Sequence, residues 1–135
     1  MFLATMSDEG KRLFYSLEMV LAKSDESFDS TEEALIKTHC AEMGIEYKGI
    51  NDINVELKEL VDNINSSLTK REKKIIFIEL IAVALVDGEY HENEKKVIEQ
   101  MRKLLNIPEE IADDAVDLVN KLMTVTNSLQ NFVEW

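Results

Sequence analysis

A chain of 135 residues, 45% apolar and 31% charged, is long enough to bury one core and has a globular rather than a disordered composition. Its formal net charge of −12, from 15 Lys and Arg against 27 Asp and Glu, excludes a surface built to grip nucleic-acid phosphates or an anionic membrane. Four glycines and one proline leave few interruptions, so the chain is expected to be all-α, a compact bundle of six to seven helices forming a single domain over 1–135.

Ser7, followed by Asp8 and Glu9, reads as the cap of a first helix that carries Leu13, Phe14, Leu17, Val20 and Leu21 and runs to about Ser24. A second helix is predicted from Asp29 to Met43, with Gly44 as the left-handed residue that ends it. A loop through Tyr47 and Gly49 leads to a third, over 52–66. The capping-box sequence Thr69-Lys-Arg-Glu72 opens a fourth, apolar on nearly every side from Ile75 to Val86 and therefore central. A fifth is expected from Glu92 to Leu105, stopped by Asn106. Pro108 at a first helical position opens a sixth, to Met123, and the remaining residues to Trp135 form a short seventh.

The chain also matches itself. LAKSDESFDSTEEALI (21–36) overlays VALVDGEYHENEKKVI (83–98), a shift of 62 residues that sets Asp25 on Asp87, Phe28 on Tyr90, Glu32 on Glu94 and Ile36 on Ile98. Ile45 then meets Ile107. Two pseudo-symmetric three-helix units, about 7–66 and 70–123, are the expected organisation.

Each unit places Asp, two residues, an aromatic, three residues and Glu between two helices. Two readings of this turn are open. As helix punctuation, Asp29 and Glu32 form a capping box and the acids complement the positive helix N-terminus. His91 is a poorer cap, so the second copy suits this reading less well. As a cation site, the two units bring Asp25, Glu32, Asp87 and Glu94 together, where four carboxylates repel unless a cation or protons intervene. Hard cations take carboxylate and free carbonyl oxygens, which favours Ca²⁺ or Mg²⁺. The turn is not an EF-hand loop, since Ser30 and Ile36 stand where Gly and Glu are required. HENEK (91–95) is not a zinc-protease motif, since its fifth residue is Lys95.

The stretch LIAVALVDGEYHENEKKVIEQMRKLLNIPEE (80–110), with its partial duplicate at 17–45, resembles the TerB-like family, the tellurite-resistance protein B group. The resemblance implies a bundle of about seven helices, a metal-binding acidic face, no catalysis, and a role in tellurite or general stress responses. Carried over, the acidic positions are Asp87 and Glu94, then Asp25 and Glu32. The first copy departs from the pattern, with Glu26 in place of Gly88.

Elsewhere the residues carry little chemistry. Glu79 lies in the most apolar helix and needs a crevice or a basic partner. His39 and Cys40 are adjacent on one helix and point about 100° apart, poor geometry for a nucleophile and its base, so a boundary His and a core Cys are expected. The methionines read as core fillers. Lys70, Arg71, Lys73 and Lys74 read as a solvated first turn. No catalytic residue and no organic cofactor site is predicted.

With Cys40 alone there is no internal disulfide, which suits a reducing compartment. MFLATM lacks the basic start of a signal peptide. The apolar run 75–86, about twelve residues and interrupted by Glu79, is too short to span a bilayer. A cytoplasmic, non-enzymatic, cation-binding protein is the expectation. The rival is an acidic interaction module, immunity- or inhibitor-like, that docks a partner with a basic surface.

Overall fold

The computed structural model describes residues 1–24, 28–85 and 92–135 of the chain. Among them are a 3-10 turn (Leu3–Thr5) and six helices: α1 (Asp8–Ser24), α2 (Ser30–Met43), α3 (Leu57–Ser67), α4 (Lys70–Ala84), α5 (Glu92–Leu104) and α6 (Glu109–Glu134). No strand occurs among the described residues. The protein is all-α.

The helix ends follow local chemistry. Ser7 caps α1, its Oγ accepting from the Gly10 N–H at 3.0 Å. Asp29 caps α2 by accepting from the Glu32 N–H at 2.9 Å. Thr69 and Glu72 form the reciprocal capping box of α4. The Glu72 carboxylate also reaches across to α1, accepting from the Ser7 N–H at 3.0 Å and the Ser7 Oγ–H at 2.7 Å. One side chain thus joins the starts of two helices.

At the other ends, Gly44 (φ 72°) and Asn106 (φ 58°) both adopt the left-handed conformation. The following N–H groups, Ile45 and Ile107, turn back to Cys40 O (2.9 Å) and Arg102 O (3.0 Å). These are the same closing bonds, 62 positions apart. The likeness does not extend to the third helices: α3 is 11 residues long and α6 is 26.

Two helices differ from expectation. α3 starts at Leu57 rather than near 52. Gly49 (φ 97°) and Asp52 close a turn through an Asp52 N–H to Gly49 O bond of 3.1 Å, and the Asp52 carboxylate accepts the Tyr15 hydroxyl at 2.8 Å. That long-range bond holds the segment out of the helix. Pro108 is the cap of α6, with ψ 144°, and not its first residue. α6 continues to Glu134 without a break at Met123, since no Gly or Pro interrupts it.

The buried side chains form one cluster fed by all six helices. α4 buries Ile75, Ile76, Phe77, Leu80 and Ile81, as its sequence requires. α1 is equally central, burying Leu13, Phe14, Leu17 and Met19 while packing on α2, α3 and α4. α4 packs in turn on α5 and α6. Met19, Met43 and Met101 are core fillers. Lys70, Arg71 and Lys74 are exposed, a solvated turn. Among the described residues no helix is long and apolar enough to cross a membrane.

A carboxylate-lined cavity and a buried Glu–His–Glu brace

α1, α2, α4 and α5 enclose a cavity of about 630 Å³, walled mainly by Leu80, Ile36, Ile98 and Phe28. Glu32 and Glu94 both line it. Each is the third residue of its helix, where the positive helix end favours a carboxylate, and each is half-buried. The C-terminal turns of α1 and α4 contribute Ser24, Val83 and Ala84 to the same rim. The cavity is therefore bounded by two helix starts and two helix ends.

Of the four sequence-predicted ligands, Glu32 and Glu94 come to one cavity. Asp25 and Asp87 lie outside the described residues. Among the described residues no three His, Cys, Asp or Glu side chains stand close enough to hold a metal. Of the four predicted ligands the described ones are thus two carboxylates, hard oxygen ligands of the kind Ca²⁺ and Mg²⁺ prefer. They suit such an ion in chemistry without completing its coordination.

Beneath the cavity lies a polar cluster of which the sequence revealed only part. Glu18 of α1, 3% exposed, bonds through Oε1 to His39 Nδ1 at 2.5 Å. The His39 Nε2 lies 3.4 Å from Glu79 Oε2. The other Glu79 oxygen accepts from the Met1 α-ammonium at 2.8 Å, which also donates to Glu42 at 3.0 Å. Glu79 therefore has the basic partners its burial demands. His39 is a core residue and not the boundary one expected, because both its nitrogens face carboxylates inside the bundle.

Burial pushes the Glu18 carboxyl above its ordinary value, opposed by the bond and charge of His39. Burial alone would lower the His39 pKa, but the hydrogen bond to Glu18 and the charges of Glu18 and Glu79 outweigh it and hold it raised. Burial lifts the Cys40 thiol to about 11. A protonated thiol beside an imidazole engaged on both nitrogens is no nucleophile–base pair. The Glu18 Oε2, which has no hydrogen-bond partner among the described residues, belongs to a side chain on the cavity wall.

Glu18 was missed because acids on exposed faces are ordinary. Its flanks, Phe14, Leu17, Met19 and Leu21, form an apolar stripe at helical spacing. That same signal drew attention to Glu79.

The described residues thus form an all-helical domain with an acid-lined cavity and a buried Glu–His–Glu cluster. A family model described as tellurite resistance protein TerB matches residues 46–117, which is more than half of the chain. The chain belongs to the TerB family. The match runs from before α3 into α6, so Asp87 and Glu94 fall inside it while Asp25 and Glu32 fall outside. No curated protein and no solved structure matches the chain.

Proposed function

We propose that this TerB-family chain is a non-enzymatic, cytoplasmic protein that binds a divalent cation, Ca²⁺ or Mg²⁺, in the response to tellurite or general stress. Asp87 and Glu94 of one sequence repeat and Asp25 and Glu32 of the other supply the carboxylates. One observation carries this reading: Glu32 and Glu94 enter the same cavity although they belong to different helix pairs. Carboxylates gathered in a partly apolar pocket raise each other's energy, and a divalent cation relieves that cost. Backbone carbonyls at the ends of α1 and α4 would be further ligands of the same hard type.

Titration calorimetry on the chelator-treated chain tests the proposal. Ca²⁺ or Mg²⁺ should bind saturably, and Glu94→Gln and Glu32→Gln should each weaken binding about tenfold or more, the effect of losing one ligand-scale interaction. No binding by the wild type would overturn it. The cellular role is read from survival of tellurite challenge by cells carrying the wild-type or the Glu94→Gln chain.

A further inference from the structure

The last two-thirds of α6 carry an apolar face that the other described residues leave uncovered. Leu118, Leu122, Val125, Leu129 and Phe132 continue an alternating spacing of four and three residues that begins at Ile111 and Ala115. This is the heptad pattern of a coiled-coil seam, with Ala115, Leu122 and Leu129 at one core position and Leu118, Val125 and Phe132 at the other. Leu118 and Phe132 are 63% and 73% exposed. Apart from Ala115, the intramolecular contacts of α6 use different residues, Ala112, Val116, Val119 and Met123. Ala115 itself is buried against the core, so the uncovered seam begins at Leu118.

We infer that this seam pairs with the same seam of a second copy of the chain, as an antiparallel two-helix coiled coil.

Helix stability points to a partner. From Thr124 onward every residue is exposed, so tertiary contacts do not support the helix there. Thr124, Val125, Thr126, Asn127, Ser128 and Asn131 are weak helix formers. A helical stretch shorter than about 12–15 residues is marginal in water even with good formers. Packing along the apolar seam supplies what propensity does not.

Charge identifies the partner. In a chain that is 31% charged, residues 118–133 contain one charged side chain, Lys121, and its Nζ lies 2.8 Å from Asp117 of the same helix. An interfacial membrane helix needs a basic rim, and a basic protein partner needs an acidic one. This face has neither. It is a surface on which two chains of net charge −12 can meet without opposing like charges.

Size and charge together set the direction. The antiparallel register lays Leu118 on Leu129 and Leu122 on Val125 of the second copy. A parallel register would stack Phe132 on Phe132 and hold the two acidic bodies side by side.

Sedimentation equilibrium on the full chain, across the micromolar range, should give twice the chain mass of 15.5 kDa. Leu122→Glu and Leu129→Glu, both at exposed positions, should halve that mass while the body of the protein keeps its helical circular dichroism. A wild type that stays monomeric overturns the inference, as does a dimer that both variants leave intact. For direction, a mixture of Leu118→Cys and Leu129→Cys chains should cross-link to each other under mild oxidation, whereas Leu129→Cys alone cross-linking to itself overturns the antiparallel register. The buried Cys40 does not compete. None of these positions lines the carboxylate cavity, so the outcome is independent of cation binding.

Discussion

His39 on α2 bonds through Nδ1 to Glu18 on α1 and faces Glu79 on α4 through Nε2, so one imidazole joins three helices. When protonated it offers one N–H to each carboxylate. Without it, two buried acids would face each other.

Breaking a buried charge pair from one side costs about 3–5 kcal/mol, because the remaining charge is left uncompensated. His39→Gln is therefore expected to lose roughly 3 kcal/mol of unfolding free energy. Glu18→Gln should lose much less, because an amide oxygen still accepts from Nδ1 and burial already disfavours the Glu18 charge. Urea denaturation of the three proteins measures both. Equal losses would contradict this account of the cluster.

The pH dependence follows from the same pair. Both folded pKa values are raised, that of Glu18 above 4.5 and that of His39 above 6.5. The native state thus holds these protons more tightly than the unfolded chain does. That stability is complete below the unfolded values and is lost as pH rises through the folded ones. Glu18 contributes a decline that starts above pH 4.5, and His39 one that starts above 6.5. The Met1 α-ammonium, also raised from 8.0, acts in the same direction at higher pH. Thermal melts from weakly acidic to weakly alkaline buffer should show the fall, and His39→Gln should remove its near-neutral portion. A melting temperature rising through this window would be the wrong sign.

Cation linkage gives a second melting experiment. At a hundredfold excess over the dissociation constant, a bound ion stabilises the native state by about 2.7 kcal/mol. Asp87→Asn and Glu94→Gln should each remove most of that gain. Without the ion they should change stability little, since Asn suits helix ends and Gln can still complete a capping box. Melts with chelator and with millimolar Ca²⁺, Mg²⁺, Mn²⁺ or Zn²⁺ separate the two effects. A wild type unmoved by all four leaves the turn as helix punctuation.

Gly10 offers a test in which two rules oppose each other. Ala normally improves a helix interior by about 1 kcal/mol over Gly. Here a Cβ would collide with the Glu72 carboxylate. That carboxylate is held by the Ser7 N–H, the Ser7 hydroxyl and Thr69, so moving it breaks the junction between α1 and α4. Gly10→Ala should be net destabilising, by about 1 kcal/mol, the cost of one or two lost hydrogen bonds less the propensity gain. An increase in stability would show that the junction contributes little.

Gly44 and Asn106 are expected to respond alike. A Cβ at Gly44 would meet nothing within 4 Å, so the cost of Gly44→Ala is purely that of the left-handed backbone, about 1 kcal/mol. Asn106→Ala should lose a similar amount, because Asn tolerates that conformation better than Ala. Denaturant midpoints at constant slope are the measurement.

Those two positions mark what could be read directly. Ser7, Asp29, Gly44, Thr69 with Glu72, and Asn106 were legible because a cap satisfies backbone groups within about three to six residues, so its chemistry is complete in a short stretch. The apolar run of α4 was legible for the same reason, since a helix with no polar face has to be buried. The late start of α3 was not, because the Asp52 carboxylate is held by Tyr15, 37 positions earlier. Nor was the run of α6 to Glu134, where Thr124, Thr126 and Asn127 weaken a helix that no residue stops.

For the cavity and its floor, the sequence determined the kinds of side chain, and the packing of helices decided which of them meet. The repeat put Glu32 and Glu94 at matching places in two helix starts, a local property of each. That both open into one cavity depends on how α2 and α5 lie against α1 and α4. Glu18, His39 and Glu79 stand on three separate helices, and nothing in the spacing of 18, 39 and 79 sets them side by side. A cap is enforced by neighbours along the chain, whereas a buried ion cluster is enforced by the cost of leaving charge unpaired in a core that exists only once the helices have packed.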